Sequence, residues 1–253
     1  MKIKGNLSCI LLLGGKGSRY SKLSETPKQL IKIYSKTLIE NILIRMMNNG
    51  INDFIFPLGY KKKYFYNFFL KKKKIGSFKV NILISKKDRK QKNCINLKLF
   101  DAGKETSKLS RIKKSLAYID TDVFFVTYGD GVSNINLSKI YKLYVKTKKL
   151  VISCTKMKSQ YGHLQVNKNK LVNSFSEKPI LPMPVNIGYY LFTKRLFNKY
   201  YSRKYELETS FLNRIIKKKI LISYLHKGYF FNIDKKIDLL KIKKEYKKII
   251  NLF

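Results

Sequence analysis

The chain has 253 residues, 44% hydrophobic and 13% aromatic, enough apolar side chain for one large α/β domain or two small ones and too much for a disordered segment. Its charge is extreme: 55 Lys plus Arg against 15 Asp plus Glu leaves +40, a balance that invites a nucleic-acid or anionic-membrane reading. Only seven of those cations are Arg, whereas surfaces selected for phosphate and guanine contacts favour its planar fork, so the Lys excess reads as compositional background and no specific nucleic-acid partner is expected.

Lys2 and Lys4 precede a short apolar run, Cys9–Leu13, that is too short for a secretory h-region, and no segment approaches the ~18 apolar residues of a membrane span. With Cys9, Cys94 and Cys154 scattered, a reduced, cytoplasmic setting without membrane attachment is expected. A first strand is predicted at about Leu7–Leu13. A helix follows at about Leu38–Asn49, with Ile39, Ile42, Leu43, Met46 and Met47 on one face and Gly50 as its stop. Next come a strand at Phe54–Leu58, a Lys- and Phe-rich helix at about Lys61–Lys72, a strand near Val80–Ile84 and a helix at about Leu109–Ile119. A strand at Val123–Thr127 then runs into Tyr128-Gly129-Asp130-Gly131. Alternating helices and nearly unbroken apolar strands predict an α/β fold, a Rossmann-like doubly wound, mostly parallel but mixed sheet flanked by helices, with ligands at the strands' carboxyl ends.

The second half offers short strands at Leu150–Thr155, His163–Val166, Leu171–Phe175 and Val185–Phe192, then helices and a basic helix from about Lys235. These predict a small β-rich substrate-binding lobe on the same sheet. No linker or repeat interrupts the chain, so one domain over 1–253 is expected, its halves meeting near residue 134. The Lys runs at 61–63, 71–74 and 217–219 read as solvated helix faces.

The chemistry begins where the first strand ends, at Leu13-Gly14-Gly15-Lys16-Gly17-Ser18-Arg19. Three glycines in four residues let the backbone approach a ligand and turn its N–H groups toward an anion, although a tight turn would use them as well. Neither standard phosphate signature fits: the P-loop spacing is absent, and the third glycine of the dinucleotide fingerprint would fall at Tyr20. Arg19 and, after Pro27, Lys28 add cations able to neutralise a triphosphate and a leaving pyrophosphate. The second candidate is Asp130, whose glycine neighbours leave it unshielded and able to hold a hard cation such as Mg²⁺. Asp-Gly also builds hairpin turns, but a helix is predicted next, which favours a strand-turn-helix passage here. His163 and His226 read as structural or surface histidines.

The order L-x-G-G-x-G-[ST]-R, P-K, Y-G-D-G and E-K-P resembles the sugar-phosphate nucleotidyltransferases over nearly the whole chain, and the narrower stretch Phe125–Val132 is similar to their cytidylyltransferase branch. The resemblance implies that Leu13, Gly14, Gly15, Gly17 and Ser18 cradle a nucleotide, with Thr106, Arg111 and Gly129 beside it. It implies that Arg19, Lys28 and Asp130 form the catalytic set and that Asp130 and Asp234 bind Mg²⁺. Glu177 and Lys178 would grip a sugar 1-phosphate in a pocket shaped by Gly162, Asn186 and Gly188. The implied partners are CTP and glucose 1-phosphate, giving CDP-glucose and pyrophosphate for surface-polysaccharide or deoxysugar synthesis, and the implied assembly is a homo-oligomer. Uridylyl, thymidylyl or guanylyl transfer is the alternative within the family, and non-catalytic polyanion binding the alternative outside it. Three positions depart from the family pattern: Lys108-Leu109-Ser110 replaces a glycine-rich turn, Gln29 stands where a second proline is frequent, and Asn232 sits in a usually aromatic stretch.

Overall fold

The structure is a computed structural model that describes residues 7–13, 15, 26–85, 87–233, 237–240 and 242. Its strands in chain order are β1 (Ser8–Leu12), β2 (Lys32–Ile33), β3 (Lys36–Thr37), β4 (Asp53–Leu58), β5 (Lys74–Ile75), β6 (Phe78–Leu83), β7 (Ile95–Asp101), β8 (Val123–Tyr128), β9 (Gly131–Ser133), β10 (Leu150–Thr155), β11 (His163–Val166), β12 (Val172–Ser176), β13 (Val185–Thr193), β14 (Leu221–Leu225) and β15 (Phe230–Asn232). Nine of them form one sheet in the order β14-β10-β13-β8-β1-β4-β7-β6-β5. The pairings from β8 through β1, β4 and β7 to β6 are all parallel. β13 runs antiparallel to both β8 and β10, which makes the sheet mixed, as expected.

Alternate residues of the central strands feed two cores. Leu11, Phe54, Phe56 and Phe125 enter one, and Ile10, Ile55, Phe124 and Val126 enter the other. Helix Leu38–Asn48 covers the first face. Its start is set by a capping box in which Thr37 accepts from the Glu40 N–H and Glu40 reaches back to the Thr37 N–H at 2.8 Å. Helices Lys108–Ser115, Lys194–Tyr200 and Leu212–Lys217 cover the second face through Leu109, Ile112, Phe197, Leu212 and Ile215. Burial on both faces explains why these strands read as unbroken apolar runs.

Besides the two-residue β5, two sheet strands escape the periodicity. β7 carries Asn96 and Lys98 at buried positions, where a hydrophobic scan ends a strand. Their polar atoms are satisfied locally: Asn81 Nδ2 donates to Asn96 Oδ1 at 2.8 Å, and Lys98 Nζ donates to the Ser85 carbonyl at 2.6 Å. β14, an edge strand after the Lys run at 217–219, is the other. The strand-turn-helix passage expected after Asp130 is also corrected, because β9 intervenes before helix Leu137–Thr147 and pairs with β15 from the far end of the chain. β11 and β12 form a separate hairpin whose residues are all exposed, Leu164, Val166, Val172 and Phe175 among them. Among the described residues no helix is long and apolar enough to cross a membrane.

Candidate active site

The carboxyl ends of β1 and β8 lie side by side, with Leu12 paired to Tyr128. From that pair the sheet runs outward in both directions, through β4 on one side and β13 on the other, so a crevice opens at the switch point. A cavity of about 1300 Å³ occupies it. Small-molecule sites usually hold ~300–1,000 Å³, so this one has room for two substrates.

Of the predicted nucleotide cradle, Gly15 lines the cavity, and a Cβ placed on it would meet nothing within 4 Å. Leu13 is fully buried against Gly129, where a Cβ would stand 2.2 Å from Leu13 Cδ2. Gly129 therefore serves close packing of the two strand ends. Gly14, Gly17, Ser18, Arg19 and Asp234 lie outside the described residues.

Lys28, in the turn after Pro27, places its ammonium 3.0 Å from Asp130 Oδ2 and donates to the Ile233 carbonyl at 2.9 Å. The Ile233 N–H in turn donates to the Asp130 carbonyl at 3.0 Å, next to the β9–β15 pairing of Gly131 with Asn232. Three remote segments thus meet around Lys28 and Asp130, and the residue after Ile233 is Asp234. Asp130 and Lys28 both line the cavity, and so does Asp238. Among the described residues no three acidic, His or Cys side chains gather into a cage. A partly exposed hard-oxygen carboxylate in a roomy cavity fits Mg²⁺, which keeps several waters and takes its remaining ligands from phosphates.

Arg111 is 3% exposed and spends its guanidinium on backbone carbonyls: Thr106 at 2.9 Å, Pro57 at 3.0 Å, Gly103 at 2.9 Å and Lys104 at 3.3 Å. Burial lowers its pKa, while Asp101 and Glu105 act in the opposite sense. It reaches the cavity wall as the template of the 103–106 loop, because its donors are turned to that loop and not to open space. Thr106 lines the cavity too, with its hydroxyl on the Ala102 carbonyl at 2.6 Å.

Asn186 and Gly188 stand on the same cavity wall of β13. Gly188 has φ +77°, and a Cβ there would come within 2.4 Å of the Tyr128 ring, so the bare backbone is needed for conformation and for space. The other sugar-side residues are not brought in. Glu177 and Lys178 are both exposed, pair with each other at 3.2 Å and stand outside the cavity lining, as does Gly162. The reason is the hairpin, whose strand residues are all exposed; among the described residues its base is the part that touches the cavity, where Met157 and Gln160 line the wall and Ser159 N–H donates to the Pro179 carbonyl at 2.8 Å.

Motifs did not reveal Lys104, Ser107, Lys108, Tyr128 or Glu206 as cavity residues. All three departures from the family pattern reach the wall, through Gln29, Lys108 and Asn232. His226 is structural: it is 5% exposed, with Nε2 at 3.1 Å from both Ser133 Oγ and the Tyr229 carbonyl.

A doubly wound sheet with a large cavity at its switch point, cations and a carboxylate at the strand ends, defines a nucleotide-binding α/β protein. The nucleotidyl transferase family model matches residues 8–240, and the chain belongs to that family. It is 29% identical over 252 residues to a probable glucose-1-phosphate cytidylyltransferase of Bacillus subtilis, covering 94% of this chain and 95% of the relative. It is also 29% identical over 236 residues to the D-glycero-alpha-D-manno-heptose 1-phosphate guanylyltransferase of Campylobacter jejuni, covering 90% and 94%. The fold is shared with the crystal structure of HddC from Yersinia pseudotuberculosis, with a TM-score of 0.69 at 21% identity over 95% of this chain and 99% of that one.

Proposed function

We propose that the protein joins CTP to a sugar 1-phosphate, glucose 1-phosphate first among candidates, releasing pyrophosphate. An anionic oxygen of the sugar phosphate attacks the α-phosphorus; that P–O bond forms as the bond to the bridging oxygen of the β-phosphate breaks. The attacking oxygen is already ionised near neutral pH, so no general base is required, and catalysis reduces to aligning and neutralising two anions. The observation that carries this reading is the junction of Lys28, Asp130 and the Ile233 carbonyl beside the cavity. Lys28 would meet the triphosphate together with Arg19. Asp130, with Asp234, would hold Mg²⁺, which when bound supplies charge neutralisation to the phosphates. Asn186 and Gly188 would face the sugar, with Glu177 and Lys178 reaching it from the hairpin.

The preference for CTP rests on the Phe125–Val132 stretch and on the Bacillus relative. Guanylyl transfer is the second reading, favoured by the equal identity of the Campylobacter relative. A matrix of four nucleoside triphosphates against glucose, mannose, galactose and heptose 1-phosphates, read by pyrophosphate release, decides between them. Turnover confined to CTP with glucose 1-phosphate is expected. Turnover with GTP and the heptose replaces the first reading by the second, and none with any pair overturns both.

A further inference from the structure

Glu208 belongs to none of the motifs and does not line the cavity. It sits in a π turn, Leu207–Phe211, in which the Phe211 N–H reaches back to the Glu206 carbonyl at 2.9 Å. Single π turns are uncommon and gather at functional sites. Its half-buried carboxylate takes two charge-assisted contacts, one from the Tyr128 hydroxyl at 2.5 Å and one from the Lys108 ammonium.

The contacts continue in one direction only. An ionised carboxylate accepts and never donates, so Tyr128 must give its proton to Glu208. The Tyr128 oxygen is then an acceptor for Tyr190, whose hydroxyl lies 3.1 Å away. With that proton committed, the Tyr190 oxygen accepts from Asn186 Nδ2 at 2.7 Å. Asn186 Oδ1 is left to accept from the Gly188 N–H at 2.9 Å. The amide orientation that the relay requires is the one the Gly188 N–H also selects, so the two ends hold Asn186 in one setting, and one amide N–H remains for a ligand. The ionisation state of the carboxylate agrees with the first step of this order. Burial works to raise the Glu208 pKa, but the hydrogen bonds from Lys108 and Tyr128 outweigh it and the carboxyl is held below its usual range. Burial, with Tyr190 and Glu208 adding to it, raises the Tyr128 phenol.

We propose that Glu208 is a positioning residue that ties two parts of the cavity wall together: it orients the Asn186 amide through Tyr128 and Tyr190, and it holds the Lys108 ammonium directly. Asn186, Gly188, Tyr128 and Lys108 all line the cavity, so a single carboxylate behind the wall presets donors on the nucleotide-side loop and on the sugar-side strand. The assignment of Asn186 to a sugar phosphate rests on the function proposed above; the relay itself does not.

The test compares wild type, Glu208→Gln, Tyr128→Phe and the double variant in the pyrophosphate-release assay. Each single change is expected to raise the sugar 1-phosphate KM about fivefold to tenfold, the size of one neutral hydrogen bond such as the Asn186 amide would make. The nucleoside triphosphate KM should stay within about twofold in Tyr128→Phe and rise only in Glu208→Gln, which also releases Lys108, and the double variant should be no worse than the poorer single one, as members of one network behave. Multiplying effects, or equal rises in both KM values in Tyr128→Phe, would overturn the proposal. Tyr128→Phe keeps the ring against Gly188 and serves where Glu208→Gln disturbs the π turn. The side-chain amide resonance of Asn186, assigned with Asn186→Asp, is followed in the ligand-free protein as well. It should shift in both single variants, and an unmoved resonance overturns the relay even if the wild type proves to have no such turnover.

Discussion

Lys28, Asp130 and Ile233 come from remote points of the chain and meet within 3.0 Å. Asp130 was legible because a carboxylate between glycines at the end of an apolar strand has few other uses. Glu208 was not, because an acid in a mixed polar and apolar segment gives no signal until the fold brings Tyr128 to it. Asp130→Ala is expected to lower kcat by about two to three orders of magnitude, the usual cost of losing one preorganised electrostatic group, with the circular dichroism spectrum retained. Steady-state pyrophosphate release checks this, and near-wild-type turnover would remove Asp130 from the reaction. His226 makes a separate forecast. Burial, with the Arg45 charge adding to it, lowers its pKa, so as pH falls the unfolded chain takes up the proton first, near the ordinary value of about 6.5. The stability contributed by the neutral imidazole is present above that pH and is lost as pH falls through the lower folded value. Melting temperature should therefore decline below about pH 6.5, and His226→Gln should flatten the decline.

At the scale of elements, the parallel strands and helix Leu38–Asn48 follow directly from period and capping, since Thr37 and Glu40 stand three residues apart ahead of the apolar face. β7 hides because Asn96 and Lys98 occupy its buried positions, and partners on the preceding strand and loop, Asn81, Ser85 and Gln91, satisfy them. The 103–106 loop shows the same dependence on its surroundings: its conformation is held by Arg111 from helix Lys108–Ser115. An ammonium cannot span four carbonyls as a planar fork does. Arg111→Lys should therefore leave buried carbonyls unpaired at about 1–3 kcal/mol, or several degrees of melting temperature in a chain of this size at roughly 2–4 °C per kcal/mol. Calorimetry reads the stability loss, and the nucleoside triphosphate KM should rise with it while the sugar 1-phosphate KM changes less.

For the molecule as a whole, the +40 charge and the fold point in different directions. Among the described residues the cavity engages only a few cations, Lys28, Lys104, Lys108 and Arg111, while cations as a whole are spread along the sequence. Any retention on duplex DNA is accordingly expected to be sequence-independent, to fall steeply between about 50 and 200 mM salt, and to be unchanged by Asp130→Ala. Filter binding across a salt series checks this, and salt-resistant binding to one sequence would contradict it. The doubly wound sheet was legible from its strand runs, whereas the identity of the reversed strand, β13, was not, because strand direction leaves no mark on hydropathy.

The closure of β15 on β9 sets an order of events during synthesis. Asp130 and its strand leave the ribosome with Lys28 already made, but the carbonyl that shares that ammonium arrives with Ile233, on the order of ten seconds later at ordinary elongation rates. A nascent chain can assemble the parallel half of its sheet in that interval while the junction around Asp130 stays unfinished. Completion of the junction thus waits for Phe230–Ile233, so products truncated ahead of that segment would carry the parallel strands without it.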